Sequence, residues 1–256
     1  MITIKTEKEI DDIREGGKIL ANVLQEVAKL VKPGATTGEL ELLACELILK
    51  SGGKPSFKGY RTSKKEKAFP TALCVSINNE VVHVPALPAR MIKEGDIVSI
   101  DIGMEYLKLF TDMAITVPCG VISDQAKKLL AATKKSLELA IKKIKPGLSL
   151  YELGKTVEDY IDEQGFSVVR QLVGHGVGHH VHEDPQIPNY AVESNKNICL
   201  KEGMVIAVEP MVNVGRWQIT ADKSGWIIKT EDGSLSAHFE HTIAVTKNGY
   251  KVMTEL

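Results

Sequence analysis

The chain has 256 residues, of which 43% are hydrophobic and 25% are charged, and its formal net charge is −1. This balance excludes a global basic field for nucleic acid or a membrane surface, and the length fits one large domain or two small ones. Four scattered cysteines without a C-x-x-C pair argue against a thiolate zinc site and favour reduced thiols. Because no apolar run approaches membrane-spanning length, we expect a soluble cytoplasmic protein.

Two helices are predicted at the start of the chain. A capping box, Thr6 with Glu9, precedes a long amphipathic stretch that stops before Pro33-Gly34. A second box, Thr36 with Glu39, starts a helix that runs to residue 52. From residue 74 to 117 the pattern changes to short β-branched runs, with a hairpin turn predicted at 78–80.

The rest of the chain repeats this order. Helices are predicted over 123–145 and after a third capping box, Ser149 with Glu152, and strands at 204–208, 226–228 and 241–245. Residues 174–185, with the sequence GHGVGHHVHEDP, are too rich in glycine for a helix and too polar for an ordinary core strand. The glycines fit neither a phosphate loop nor a dinucleotide fingerprint.

An internal repeat links the two halves. The motif KPG occurs at 32–34 and 145–147, and KEGDIVSID at 93–101 matches KEGMVIAVE at 201–209. Each half reads as helices followed by strands. We therefore predict an α+β fold with a pseudo-two-fold, in which helices cover an antiparallel sheet, within one domain that spans residues 1–256.

Carboxylates stand at matching places in this repeat. Asp101 aligns with Glu209 at the end of an apolar run, Asp112 and Glu240 follow in comparable strands, and His175 lies in the glycine-rich stretch. Each residue alone also fits a turn or an ion pair, but buried carboxylates together need partners or a metal. The set suits Mn²⁺, Fe²⁺, Co²⁺ or Zn²⁺, and its charge favours two bridged ions.

These residues, with their neighbours, resemble the type I methionine aminopeptidases of the pita-bread fold over nearly the whole chain. The motifs that carry the resemblance are DIG at 101–103, TD at 111–112, GHGVG at 174–178, HExP at 182–185, EGM at 202–204, EPM at 209–211 and EHT at 240–242. The resemblance implies removal of the initiator Met from nascent chains with a small second residue.

The resemblance also implies a role for each matching position. Asp101 would bind one ion, Asp112 and Glu240 would bridge the pair, and His175 and Glu209 would bind the other. His83 and His182 would flank the scissile amide, and Glu209 would transfer a proton. The walls of the methionine pocket would include Tyr60, Phe69, Cys74 and Trp226.

The chain departs from the family pattern in a few places, which we expect at the pocket rim and away from the metal ligands. Arg61, Val181 and His238 replace other residues, and a lysine-rich insertion near Lys64 could contact the ribosome. We expect a monomer with no sequence-specific nucleic acid and no membrane contact. Two alternatives are an Xaa-Pro dipeptidase or aminopeptidase on the same fold and an inactive binding module.

Overall fold

The computed structural model describes residues 2–61, 67–223 and 225–255, so the lysine-rich insertion, apart from Lys67, lies outside the described residues. The described chain forms helices α1 (Glu7–Ala28), α2 (Thr37–Lys50), α3 (Asp124–Lys143) and α4 (Leu150–Glu163), with a short 3₁₀ helix at Glu193–Asn197. The strands are β1 (Lys54–Pro55), β2 (Leu73–Ile77), β3 (Glu80–Val82), β4 (Ile97–Tyr106), β5 (Leu109–Pro118), β6 (Ser167–Val168), β7 (Gly174–Gly176), β8 (Glu183–Ile187), β9 (Val205–Val208), β10 (Met211–Asn213), β11 (Ile219–Ala221), β12 (Ile228–Thr230), β13 (Ser236–His238), β14 (Glu240–Thr246) and β15 (Gly249–Val252).

Side-chain caps determine where the helices begin. All three predicted capping boxes form, at Thr6–Glu9, Thr36–Glu39 and Ser149–Glu152, and in each one the two side chains satisfy otherwise unpaired backbone amides. The first helix ends earlier than predicted, at Ala28. The next residues form tight turns in which Leu30 and Val31 bond back three residues, and these turns carry the chain to Pro33.

A nine-stranded antiparallel sheet organises the molecule. Its order is β1-β4-β5-β14-β9-β7-β8, with β2 paired to β4 and β15 paired to β14. Two three-stranded sheets, β13-β10-β6 and β11-β12-β3, flank it. The ladder between β5 and β14 joins the first half of the chain to the second, and it pairs Glu240 with Ala114 and His241 with Met113.

Two apolar cores lie between this sheet and the helices. One packs α1 and α2 against β2 and β4, and the other packs α3 and α4 against β9 and β14. The two halves match in detail. Gly34 and Gly147 precede the second helix of each half with φ of 90° and 88°, and Gly95 and Gly203 precede β4 and β9 with φ of 89° and 83°. This correspondence confirms the predicted pseudo-two-fold.

Local predictions fail where partners are distant in sequence. The turn at 78–80 forms, but β3 pairs with β12 instead of closing a regular ladder with β2. The strand predicted at 226–228 begins only at Ile228, and part of the glycine-rich stretch is a buried strand, β7. None of the helices in the described part of the chain has the length and apolar character needed to span a membrane.

Candidate active site

An open cavity of about 920 Å³ brings the predicted site residues together. Its lining includes every residue that was predicted to bind metal, to flank the substrate or to form the pocket wall: Asp101, Asp112, His175, Glu209, Glu240, His83, His182, Tyr60, Phe69, Cys74 and Trp226. These side chains come from segments spread over the whole sequence. The fold therefore assembles one site from both halves of the chain.

Strand alternation aims the first two carboxylates into this cavity. Along β4, Ile100 and Ile102 pack toward α1 and α2, so Asp101 between them points to the other face of the sheet. In β5, Met113 packs in the same core, and Asp112 before it points into the cavity. Since Gly103 pairs with Asp112 on the neighbouring strand, the two carboxylates are diagonal neighbours across the sheet.

Glu240 continues this arrangement from the other half. Asp101 pairs with Ala114, which in turn pairs with Glu240, so the two carboxylates share one cross-strand row. The residue between them has only a methyl side chain, which leaves space above the sheet. Thr242 stabilises the pairing of β5 with β14. Its hydroxyl accepts a hydrogen bond from the backbone N–H of Asp112 and donates one to the carbonyl of the same residue.

His175 reaches the cavity from β7, which lies between β8 and β9. A Cβ at Gly174 would stand 2.4 Å from the carbonyl oxygen of Ala207, and one at Gly176 would stand 2.3 Å from that of Asp184. The glycines are therefore required by the close approach of neighbouring strands. The Nδ1 of His175 donates to the carbonyl of Gly176 at 2.9 Å, which leaves the Nε2 lone pair for a ligand.

The carboxylates repel one another in this buried setting. Burial raises the pKa of Asp101 to about 6 and that of Glu209 to about 8. The pKa values of Asp112 and Glu240 lie well above their ordinary range, first because of burial and then because of the neighbouring carboxylates. Four buried acids that resist ionisation need positive charge to become carboxylates together.

The donor atoms fit divalent metal ions. Within the described residues, Asp101 Oδ1 and Glu240 Oε1 are buried without a hydrogen-bond partner. Donor atoms of Asp112, His175 and Glu240 lie within 4.8 Å of one another, and so do those of Glu209, His238 and Glu240. Both groups contain Glu240, so the donors converge on this carboxylate.

Two further histidines, His83 and His182, line the same cavity as these metal-binding donors. Burial lowers the pKa of His83 to about 4 and also lowers the pKa of His182, so both rings are neutral at pH 7. The hydroxyl of Tyr60 lies 2.6 Å from Nδ1 of His182, and the His182 ring packs edge-on against His175 at 4.4 Å. His83 has φ of 59°, a left-handed conformation that non-glycine residues rarely adopt outside constrained sites.

An apolar pocket forms the wall beside the donors. The predicted wall residues belong to a single cluster, in which the Phe69 and Trp226 rings meet edge to face at 5.3 Å. Burial, and after it Asp101, raises the pKa of the Cys74 thiol, so this side chain is a neutral part of the wall. Phe57 and Val181 are the other buried members of the cluster, and Phe110 packs against it. Val181 is thus buried within this cluster, whereas the sequence indicated the rim.

The N-terminal segment holds the loop that carries His182. Lys5 and Glu183 are nearly fully buried and their charged atoms lie 2.6 Å apart. Glu183 also accepts the backbone N–H groups of His179 and His180, and the ring of His179 lies 2.7 Å from Glu9 of α1. Local sequence patterns do not indicate the contacts of Lys5 with Glu183 and of Glu9 with His179, because these pairs are 178 and 170 positions apart.

Comparison with known proteins identifies the family. The sequence model described as metallopeptidase family M24 matches residues 11–247. A methionine aminopeptidase from Aquifex aeolicus is 45% identical over 256 residues, which cover 100% of this chain and 99% of that protein. The chain belongs to metallopeptidase family M24.

Solved structures of the family support the same relationship. The crystal structure of a methionine aminopeptidase from Thermotoga maritima is 43% identical, with a TM-score of 0.94 and full coverage of both chains. An Xaa-Pro dipeptidase from Bacillus anthracis is 24% identical, with a TM-score of 0.75, and the match covers 99% of this chain but 62% of that one. The pita-bread fold predicted from the resemblance is confirmed, and the match to the dipeptidase shows the fold alone.

Proposed function

We propose that this M24 protein is a methionine aminopeptidase that hydrolyses the N-terminal Met from polypeptides with the help of divalent metal ions. One observation carries the proposal: a cluster of carboxylate and imidazole donors and an apolar side pocket lie in a single cavity. The donors fit hydrolysis of an amide, and the pocket fits an unbranched apolar side chain beside it.

The metal centre holds two ions in this proposal. Asp101 would hold one ion, His175 and Glu209 would hold the other, and Asp112 and Glu240 would be shared between them. Four carboxylates and an imidazole carry more donors and more negative charge than one ion needs, and Asp101 Oδ1 and Glu240 Oε1 have no hydrogen-bond partner among the described residues, which supports this number. Oxygen donors with imidazole accept Mn²⁺, Fe²⁺, Co²⁺ or Zn²⁺. When bound, such ions act as Lewis acids that polarise a peptide carbonyl and lower the pKa of water.

The protein residues around the centre orient the substrate and handle protons. Neutral His83 and His182 donate N–H groups to the oxygen of the scissile carbonyl as negative charge develops there. The contact between Tyr60 and Nδ1 of His182 leaves Nε2 for this task. The carboxylate of Glu209 takes up a proton during the attack of water and returns it to the leaving amine.

The pocket formed by Tyr60, Phe69, Cys74 and Trp226 receives the methionine side chain. The preference for a small second residue, which the family resemblance implies, is part of the same proposal. We further propose one catalytic domain of two similar halves, which the continuous nine-stranded sheet supports. The monomeric state, the cytoplasmic location and a ribosome contact through the lysine-rich insertion remain predictions.

Initial hydrolysis rates of Met-Ala-Ser, Leu-Ala-Ser and Ala-Pro-Ala test the function. The protein is stripped of metal and then titrated separately with Mn²⁺, Fe²⁺ and Co²⁺. We expect metal-dependent cleavage that is confined to the Met peptide. A preference for Ala-Pro-Ala would assign an Xaa-Pro peptidase instead. Folded protein that cleaves none of the peptides with any ion would contradict the proposal and favour a binding module.

A further inference from the structure

A third histidine lies at the metal centre, although the resemblance gives it no role. His238 is the last residue of β13, where it pairs with Met211 of β10. Its side chain is 2% exposed, so it lies beneath the cavity and not at the rim as the sequence indicated. Neither ring nitrogen has a hydrogen-bond partner within the described residues.

The neighbours of this ring are two of the proposed metal ligands. Nε2 of His238 lies 3.5 Å from Oε2 of Glu209 and 3.9 Å from Oε2 of Glu240. On the other side of the same carboxylate, Nε2 of His175 lies 3.6 Å from Oε1 of Glu209. Glu209 therefore stands between two buried imidazoles.

These separations are longer than hydrogen bonds and close to the spacing of ligands around one ion. Donors that each lie ~2.1 Å from a metal at angles of 90–110° are about 3.0–3.4 Å apart. A hydrogen bond between nitrogen and a carboxylate oxygen would be about 2.7–3.2 Å long. An imidazole buried without any partner costs free energy, and an ion between the three side chains would remove that cost.

We propose that His238 is an additional metal ligand, which donates a ring nitrogen to an ion shared with Glu209 and Glu240. This inference rests on the metal centre proposed above. It gives the pair of ions two imidazoles, His175 and His238, where the family resemblance assigns one. Additional nitrogen donation favours Fe²⁺, Co²⁺ and Zn²⁺ over Mn²⁺ at the Glu209 side of the centre.

Metal binding and the spectrum of the bound ion test this assignment. His238→Gln is compared with His175→Gln, which removes a proposed ligand, and with His241→Gln as the matched control. His241 is on β14, the next strand along the chain, and its ring contacts the hydroxyl of Thr254 and none of the proposed donors. Calorimetry gives Co²⁺ affinity, and ¹H NMR of protein with two equivalents of Co²⁺ counts the coordinated histidine rings. A shifted ring here is one whose N–H signal carries the large contact shift of a direct bond to the paramagnetic ion, which His83 and His182 lack because they only flank the centre.

We expect two shifted rings in the wild type and in His241→Gln, and one in each of the other variants. His238→Gln should also lower Co²⁺ affinity at least about tenfold. One shifted ring in the wild type would overturn the inference even if the variant does not fold. Unchanged affinity in folded His238→Gln would also overturn it. In both cases the proposed function stands if Met-Ala-Ser is cleaved, whereas a wild type that binds no Co²⁺ would remove both proposals.

Discussion

Glu209 should make the metal-free protein less stable as pH rises. Burial raises its pKa from 4.5 to about 8 in the folded protein, whereas the unfolded chain keeps the ordinary value. Between these values the unfolded state loses its proton first, so stability falls by ~1.4 kcal/mol per pH unit for this group. From pH 4.5 to pH 7 the loss amounts to about 3 kcal/mol.

Glu209→Gln removes this ionisation. In metal-free protein we expect the variant to exceed the wild type in stability by up to about 3 kcal/mol at pH 7, with little difference near pH 4.5. With Co²⁺ the order should reverse, because the variant loses a ligand and binding stabilises only the folded wild type strongly. Urea unfolding of chelator-treated and Co²⁺-loaded protein at pH 5, 7 and 8 measures both effects.

The matched control is Glu41→Gln. Glu41 is also buried, but its oxygens accept the amides of Ala72 and Leu73, so its replacement should lower stability by about 1–3 kcal/mol with or without metal. The reasoning would be refuted if the free energy of unfolding changed equally with pH in the metal-free wild type and in Glu209→Gln. The carboxyl of Glu209 would then have the same pKa in the folded and the unfolded state.

His83→Ala should lower kcat about 10²- to 10³-fold while elemental analysis finds unchanged metal, since its role is contact with the developing charge. A rise in KM of the same size, with kcat unchanged, would contradict this role. Lys5→Met should lower the free energy of unfolding by about 3–5 kcal/mol, because it leaves Glu183 buried without its cation, and a loss below about 1 kcal/mol in urea would count against the pair. Gly174→Ala places a Cβ 2.4 Å from a carbonyl of β9, so we expect a lower Tm and weaker Co²⁺ binding. Gly16→Ala, whose Cβ would meet a side chain at 3.1 Å, is its control, and equal Tm values for the two variants would argue against the steric requirement.

Local sequence signals predicted the parts of this fold that depend on neighbours in the chain. The capping boxes at Thr36 and Ser149 form because a cap needs only the residue three positions ahead. The repeat aligned Asp101 with Glu209 because both halves use the same turn before an apolar strand. The recurrence of a carboxylate at the end of an apolar run in both halves indicated a site.

Contacts between distant segments left no such signal. Spacing tells which face of a strand a residue occupies, but not which strand will lie beside it, so the pairing of β3 with β12 was missed. The same reason explains His238. A substitution in one short strand gave no indication that β13 lies beneath Glu209, and the ring was assigned to the rim.

The ladder between β5 and β14 has a consequence for the order of folding. Asp112 belongs to the first half, while Glu240 stands near the end of the chain, and they meet only when these strands pair. Contacts of such long sequence separation form late, because a large loop must close first. During synthesis, the pair of carboxylates proposed to share the ions is thus completed after nearly the whole chain has emerged. A truncated chain that ends before β14 can bury much of its first core but lacks Glu240, one of the proposed metal ligands.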